Sequence, residues 1–180
     1  MAINFANGGS LIARPYVLQV KHVTYDKASF SGTGYHTVAS VGITPTHSGN
    51  SIIIRTDCSL AFEGNHAAAL KIERNINGGS YVPVDSYTDG SRSFAHGGCE
   101  SNNSDGASQI SISCLDAPNT TQYCVYRLMV GFESGNSNQL IGTSSRSYSN
   151  SSSKGYPGVY RHLLTVEEVD LTWFQFLTQF

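Results

Sequence analysis

Between Ser108 and Phe132 the chain carries the pattern that most narrows its fold. Ile110, Ile112 and Cys114 alternate with Ser111 and Ser113. Successive side chains of an extended chain point to opposite faces, so this period of two sends one set into a core and the other to solvent. A strand is predicted there. Leu115 to Thr121 follows with the chemistry of a turn: Pro118 fixes its own φ, and Asp116 and Asn119 can hydrogen-bond neighbouring backbone. From Tyr123 to Phe132 the residues are almost continuously apolar or aromatic, with Tyr126, Leu128, Val130 and Phe132 on one face and Tyr123, Val125 and Met129 on the other. A strand apolar on both faces belongs deep in a sandwich or against a neighbouring subunit. Strand, turn and strand together predict a central hairpin around which the rest wraps.

The same alternation recurs along the chain. Tyr16, Leu18, Val20 and His22 alternate with Val17, Gln19 and Lys21, and His36 to Ile43 predicts a second strand that Pro45 and Ser48-Gly49-Asn50 stop. Ser51 to Phe62 places Ile52, Ile54, Thr56, Cys58 and Leu60 on one face and Arg55 and Asp57 as neighbours on the other, where a surface or interface ion pair is expected. Ala67 to Ile76, then Asn77-Gly78-Gly79, then Tyr81 to Val84 reads as a hairpin with a glycine turn. From Asp85 to Ala107 apolar residues nearly vanish, which predicts a long loop, and Ser144 to Gly155 predicts another. Gly158 to Val169 is the last predicted strand. Trp173, Phe176, Leu177 and Phe180 then fall on one helical face behind Asp170, a helix too short to stand undocked. The expected organisation is an extended arm over residues 1–15, a β-sandwich domain over 16–169 and an assembly tail over 170–180.

Composition restricts the function. Only 13% of the 180 residues are charged and the formal net charge is −2, against about a quarter charged in ordinary domains. No basic surface is available to follow a phosphate backbone, so nucleic acid is not an expected partner. The first residues lack a secretion signal and no apolar run reaches membrane-spanning length, so synthesis in a cytosol and no membrane insertion are expected. In that compartment Cys58, Cys99, Cys114 and Cys124 are expected as free thiols, although Cys114 and Cys124 flank the central turn and could face each other.

Chemistry is weakly signalled. Gly131-Phe132-Glu133-Ser134-Gly135 sets its serine one position late for a nucleophile elbow. His22, His36, His47, His66, His96 and His162 lack metal-ligand spacing, and no cofactor is expected. Carboxylates such as Glu100, Asp105 and Asp116 could form a glycosidase pair, but the sequence does not give their separation. No catalytic residue is assigned.

Several stretches resemble small structural proteins of tailed bacteriophages, notably those of cyanobacteria and marine bacteria. They are Val17-Leu18-Gln19-Val20, Val41-Gly42-Ile43-Thr44-Pro45, Ser51-Ile52-Ile53-Ile54, Ile72-Glu73-Arg74 and Leu115-Asp116-Ala117-Pro118-Asn119-Thr120-Thr121-Gln122-Tyr123, spread over Val17 to Val169. The resemblance implies an all-β fold, an antiparallel β-sandwich of jelly-roll type similar to tumour-necrosis-factor and complement heads and usually trimeric. It implies a virion component, either a tail fibre or receptor-binding head or a capsid decoration (cement) protein. The chain departs from a long fibre in having no shaft of repeats or heptads, and its Trp173 to Phe180 tail is extra.

On this reading a homotrimer buries Tyr123, Val125, Tyr126, Leu128, Val130 and Phe132 near its axis, with Trp173, Phe176, Leu177 and Phe180 joining subunits. Tyr87, Arg92, His96, Arg146 and Tyr148, on the two polar loops, are the expected contacts to a host surface glycan or protein. In the decoration reading, the arm and the tail clamp neighbouring shell proteins instead.

Overall fold

The computed structural model describes residues 3–4, 10–11, 17–26, 28–30, 34–61, 66–85, 95–101, 107–132, 139–141 and 161–171. Among them are thirteen strands and no helix. The short β1 (Ile3–Asn4) and β2 (Ser10–Leu11) pair with each other. The rest are β3 (Val17–Tyr25), β4 (Ala28–Phe30), β5 (Gly34–Ile43), β6 (Ser51–Ala61), β7 (His66–Ile76), β8 (Val82–Pro83), β9 (Gly97–Ser101), β10 (Ala107–Asp116), β11 (Cys124–Phe132), β12 (Gln139–Ile141) and β13 (His162–Val169).

Two antiparallel sheets result. In the first, β6 is central, with β10 on one side and β13 then β3 on the other; β12, carrying β4, pairs with the far end of β6. In the second, β11 lies between β5 and β7, and β8 and β9 pair with different parts of β7. The long strands β3, β6, β10 and β13 share the first sheet, and β5, β7, β9 and β11 the second. The chain crosses between sheets from β5 to β6, β6 to β7, β9 to β10 and β10 to β11, which is the winding of a jelly roll. The all-β sandwich expected from the alternation is present.

One local expectation fails. Residues β10 and β11 do not form a hairpin: β10 pairs with β6 and β11 with β5 and β7. The intervening segment carries Pro118 buried and Asn119 at a positive φ of 52°, and it takes the chain across the sandwich instead of reversing it within one sheet. Both β10 and β11 are therefore flanked by strands remote in sequence. Cys114 and Cys124 are free thiols, and burial pushes the Cys114 thiol up to about 12.

A second difference lies within the stretch expected to be loop, where β9 pairs with β7 from His66↔Ser101 to Leu70↔Gly97. Its residues show no apolar alternation because the partner sets the strand: a Cβ on Gly97 would sit 3.0 Å from Ile110, and one on Gly98 3.1 Å from the Ala68 carbonyl. The glycine turn after β7 does form. Asn77 and Gly78 both take positive φ, 48° and 77°, and the Gly79 amide donates to the Ile76 carbonyl at 3.0 Å. That is the geometry of a type I′ turn, whose twist suits a hairpin.

The inner faces of both sheets meet in one apolar core. Ile52, Ile54, Leu60, Leu164 and Val166 from the first sheet face Leu70, Ile72, Tyr126, Leu128 and Val130 from the second, all fully buried. Burying each such side chain contributes about 1.5–3 kcal/mol.

Three polar ties are set into this frame. Arg74 Nη1 donates to both Asp116 oxygens, at 2.6 and 2.7 Å, and the Tyr126 hydroxyl donates to Asp116 Oδ2 at 2.7 Å. Burial first, and then the Asp116 charge, hold the Tyr126 hydroxyl far above its ordinary pKa. At the other end of the core the Tyr25 hydroxyl meets Thr56 Oγ1 at 3.0 Å and donates to the Asp57 carbonyl at 2.8 Å, while its ring stacks on His162.

The third tie is Glu168. Its carboxylate is fully buried and accepts from Gln19 Nε2 (2.5 Å), Asn50 Nδ2 (2.6 Å), and the Thr46 amide (2.7 Å) and hydroxyl (2.8 Å). It thereby fastens β3, β13 and the β5–β6 connection together. Burial alone raises its pKa, but the hydrogen bonds from Asn50, Gln19 and Thr46 more than reverse this and hold it below the ordinary glutamate range.

Two outcomes are expected. Replacing Tyr126→Phe leaves Asp116 short of a donor and should cost about 1–2 kcal/mol in urea denaturation; no loss would mean the hydroxyl bond adds nothing. For Glu168 the folded pKa lies below the unfolded one, so its stabilisation is present above the unfolded value and is lost as pH falls through the folded value. The urea midpoint of the wild-type protein should therefore fall as pH drops below about 4.3. Glu168→Gln should be less stable near neutral pH and show a shallower acid slope.

Candidate functional site

With the inner faces committed to the core, the surfaces left for recognition are the outer faces of the sheets and the loop ends. The outer face of the second sheet carries a set of interlocked aromatic and charged side chains. Tyr35 on β5 lies opposite Gly131 on β11, and its ring covers the space where a side chain would stand: a Cβ there would come within 2.8 Å of the ring. Lys71 Nζ sits 4.0 Å from the centre of the same ring and pairs with Glu73 at 2.6 Å. Glu73 also takes Arg127, from Nε at 2.8 Å and Nη2 at 2.6 Å, and the Arg127 guanidinium lies 3.6 Å from the centre of the Tyr81 ring.

Tyr35, Lys71, Glu73, Arg127 and Tyr81 thus form a ladder from β5 across β11 and β7 towards β8. Cations over aromatic faces are attracted by the ring quadrupole. Glu73, only 8% exposed at its side chain, sits between two cations. Burial raises its pKa, and the hydrogen bonds and charges of Lys71 and Arg127 outweigh that and lower it.

Beside this ladder Tyr123 is 52% exposed, yet it is not loose. Its ring lies over Gly42 so closely that a Cβ at Gly42 would overlap it. Its carbonyl accepts from the Asn77 amide at 2.8 Å. Val125, next along the same face, pairs with Gly42 and Asn75 and is half-buried.

On the outer face of the first sheet, Arg55 does not pair with its neighbour Asp57. Its Nη1 reaches across to Glu167 on β13 at 2.5 Å, and Asp57 Oδ1 accepts from Ser111 on β10 at 2.6 Å. The cross-strand register decides this, since β6 lies between β10 and β13.

The expected interface residues divide. Tyr126, Leu128 and Val130 are fully buried in the domain's own core, whereas Tyr123 and Val125 point outward. Phe132 is placed in the backbone ladder opposite Gly34 and Ala68. Trp173, Phe176, Leu177 and Phe180 lie outside the described residues.

Of the expected receptor contacts, Tyr87, Arg92, Arg146 and Tyr148 also lie outside them. His96 is half-buried: its amide donates to the Leu70 carbonyl at 2.8 Å, and its Nδ1 accepts from the Ile72 amide at 3.0 Å. It anchors the entry to β9.

For a carboxylate pair, Asp116 is consumed by Arg74 and Tyr126, and Asp105 lies outside the described residues. Among the described residues no group of three metal-ligating side chains assembles. Nor is any described helix long and apolar enough to cross a membrane.

The ladder itself escaped the sequence reading. Lys71 and Glu73 alternate visibly, but their partners Tyr35, Arg127 and Tyr81 become neighbours only through the register of β5, β11 and β7. Gly131→Val should displace Tyr35 and with it Lys71. A cost of about 1–3 kcal/mol is expected in thermal or urea unfolding, as for other overpacking changes; an unchanged midpoint would show that the Tyr35 position is not held.

No protein-family model matches the chain, and no curated protein matches it. Among solved structures it is similar to one of the infectious bursal disease virus Gx strain (14% identity, TM-score 0.46), covering 86% of this chain and 37% of that one. It is also similar to one of the Gt strain (13% identity, TM-score 0.46), covering 94% and 42%. A third is a mutant VP2 protein of infectious bursal disease virus in derived T=1 particles (10% identity, TM-score 0.46), covering 93% and 44%. The chain spans less than half the length of each of these proteins.

Proposed function

We propose that the protein is a non-enzymatic virion structural component, the trimeric receptor-binding head of a bacteriophage tail fibre. The observation that carries its self-association is Tyr123: a large aromatic side chain, half exposed, held rigidly over Gly42 on the outer face of the second sheet. Exposed aromatics packed in place beside an ordered sheet lose little entropy when covered and commonly anchor interfaces. Val125 and the flank of Arg127 extend the patch. The jelly-roll winding and the resemblance of Val17 to Val169 to tailed-phage structural proteins support the virion role. In this reading Tyr87, Arg92, Arg146 and Tyr148 meet a host glycan or protein at the loop end, and Trp173, Phe176, Leu177 and Phe180 join subunits or the rest of the particle.

A second reading, a capsid decoration protein, is favoured by a different feature. Along the edge strand β3, Val17 and Leu18 are each 38% exposed and Val20 50%. Edge strands present unpaired backbone groups, and natural proteins rarely leave apolar ones open. A neighbouring shell protein seated there would cover them.

Sedimentation of the full chain tests the association: the wild type should run as a trimer at micromolar concentration and Tyr123→Asp as a folded monomer. A wild-type monomer would remove the trimer reading. Labelled protein imaged on intact particles by electron microscopy tests the location. Signal at tail tips supports the receptor-binding head, and signal spread over the shell supports the decoration protein.

A further inference from the structure

We propose that the outer face of the first sheet carries a binding site for one neutral hexose unit of a glycan. The site stands on described side chains and does not depend on the virion role. A shallow depression of about 330 Å³ opens on that face, bounded by Arg55, Asp57, Ser111, Ser113, Leu163 and Thr165. That volume lies at the small end of ligand sites.

The strand register sets its layout. Arg55 on β6 lies between Ser113 on β10 and Thr165 on β13, and Asp57 lies opposite Ser111. Leu163, two residues from Thr165 on the same face of β13, is 47% exposed and forms the apolar wall. The polar groups are held before any ligand arrives. Arg55 is fixed through Nη1 to Glu167, which leaves Nη2 and Nε to donate. Asp57 is fixed through Oδ1 to Ser111, which leaves Oδ2 to accept.

A donor and an acceptor side by side over an apolar wall match a pyranose. One ring hydroxyl donates to Asp57 Oδ2, its neighbour accepts from Arg55, and a C–H face of the ring packs on Leu163. Ser113 and Thr165 hydroxyls serve either role.

Charge selects a neutral ligand. One guanidinium faces two carboxylates, Asp57 and Glu167, so an added phosphate or uronate carboxylate meets excess negative charge. A single sugar on so open a site is held weakly, with a Kd on the order of 1 mM.

Saturation-transfer difference NMR on the full-length protein tests the site, with the methyl glycosides of glucose, galactose and mannose as neutral probes and methyl galacturonide as the charged one. At least one neutral glycoside should receive saturation at about 10 mM ligand, near ten times the expected Kd. The galacturonide should receive less than its neutral counterpart galactoside. Arg55→Ala and Asp57→Ala should each weaken binding about tenfold or more without moving the sedimentation behaviour. Arg55 is half exposed at its side chain and Asp57 is exposed, so both variants should fold. Should either fail to fold, Thr165→Val, which removes a hydroxyl at nearly constant shape, should weaken binding several-fold.

The site is overturned if no neutral glycoside receives saturation, if the galacturonide binds more tightly than the galactoside, or if folded variants bind as the wild type does. A wild-type monomer in sedimentation would count against the trimer and leave this result to stand by itself.

Discussion

The crossing of the chain from β10 to β11 is fixed by one buried charged cluster. Asp116 ends a strand of the first sheet, and its two acceptors of hydrogen bonds meet Arg74 and Tyr126, which belong to the second. Removing one partner of such a buried pair leaves the other charge uncompensated, commonly at a cost of about 3–5 kcal/mol. The cluster also joins the end of a strand in the first sheet to two strands of the second, β7 and β11. The apolar core drives the sheets together, but apolar contacts alone tolerate sliding; a guanidinium and a carboxylate at 2.6 Å do not. Glu168 does the equivalent at the connection between β5 and β6, with neutral donors in place of a cation.

The same logic extends outward. Tyr35 and Tyr123 lie flat on the second sheet because Gly131 and Gly42 leave room under their rings, and Lys71 and Arg127 are held against aromatic faces and a shared carboxylate. A face built this way is preorganised. Association through Tyr123 would immobilise few side chains that are not already fixed, which keeps the entropic cost of docking low. The first sheet has a different surface, with hydroxyls, the Arg55 guanidinium and the Asp57 carboxylate around a small hollow, and Glu167 paired to the guanidinium.

How far the sequence reveals this depends on whether a residue's partner is local. Alternation in Ile52, Ile54, Thr56, Cys58 and Leu60 places that core face, because burial alone dictates the pattern, whereas Tyr126, Leu128 and Val130, expected at a subunit interface, are covered by the facing sheet of their own domain. Arg74 falls in the apolar register of β7 with Leu70 and Ile72, a signal that something inside the sandwich had to receive it, but Asp116 lies forty-two residues on. The predicted β10–β11 hairpin fails for a related reason: Pro118 and Asn119 announce a turn without saying whether it closes within a sheet or between sheets. Strand β9 was illegible because Gly97 and Gly98 are chosen for close approach to Ile110 and Ala68, not for burial of their own side chains. Of the residues expected to recognise a receptor, His96 has a local signal, a histidine in a polar stretch, and a structural use that only the fold displays.

The placement of β6 has a consequence for how the protein is made. Its two long neighbours are β10 and β13, and the second reaches it from Leu164↔Thr56 to Val169↔Ser51, more than a hundred residues later in the chain. While the ribosome is still working, the middle of the first sheet stays open on one side, with Ile52 and Ile54 lacking the Leu164 and Val166 cover. Closing contacts so distant in sequence is intrinsically slow. A nascent chain halted before β13 would present a long, apolar, unpaired strand from its interior rather than a trimmed edge, and protection by chaperones would matter most over that interval.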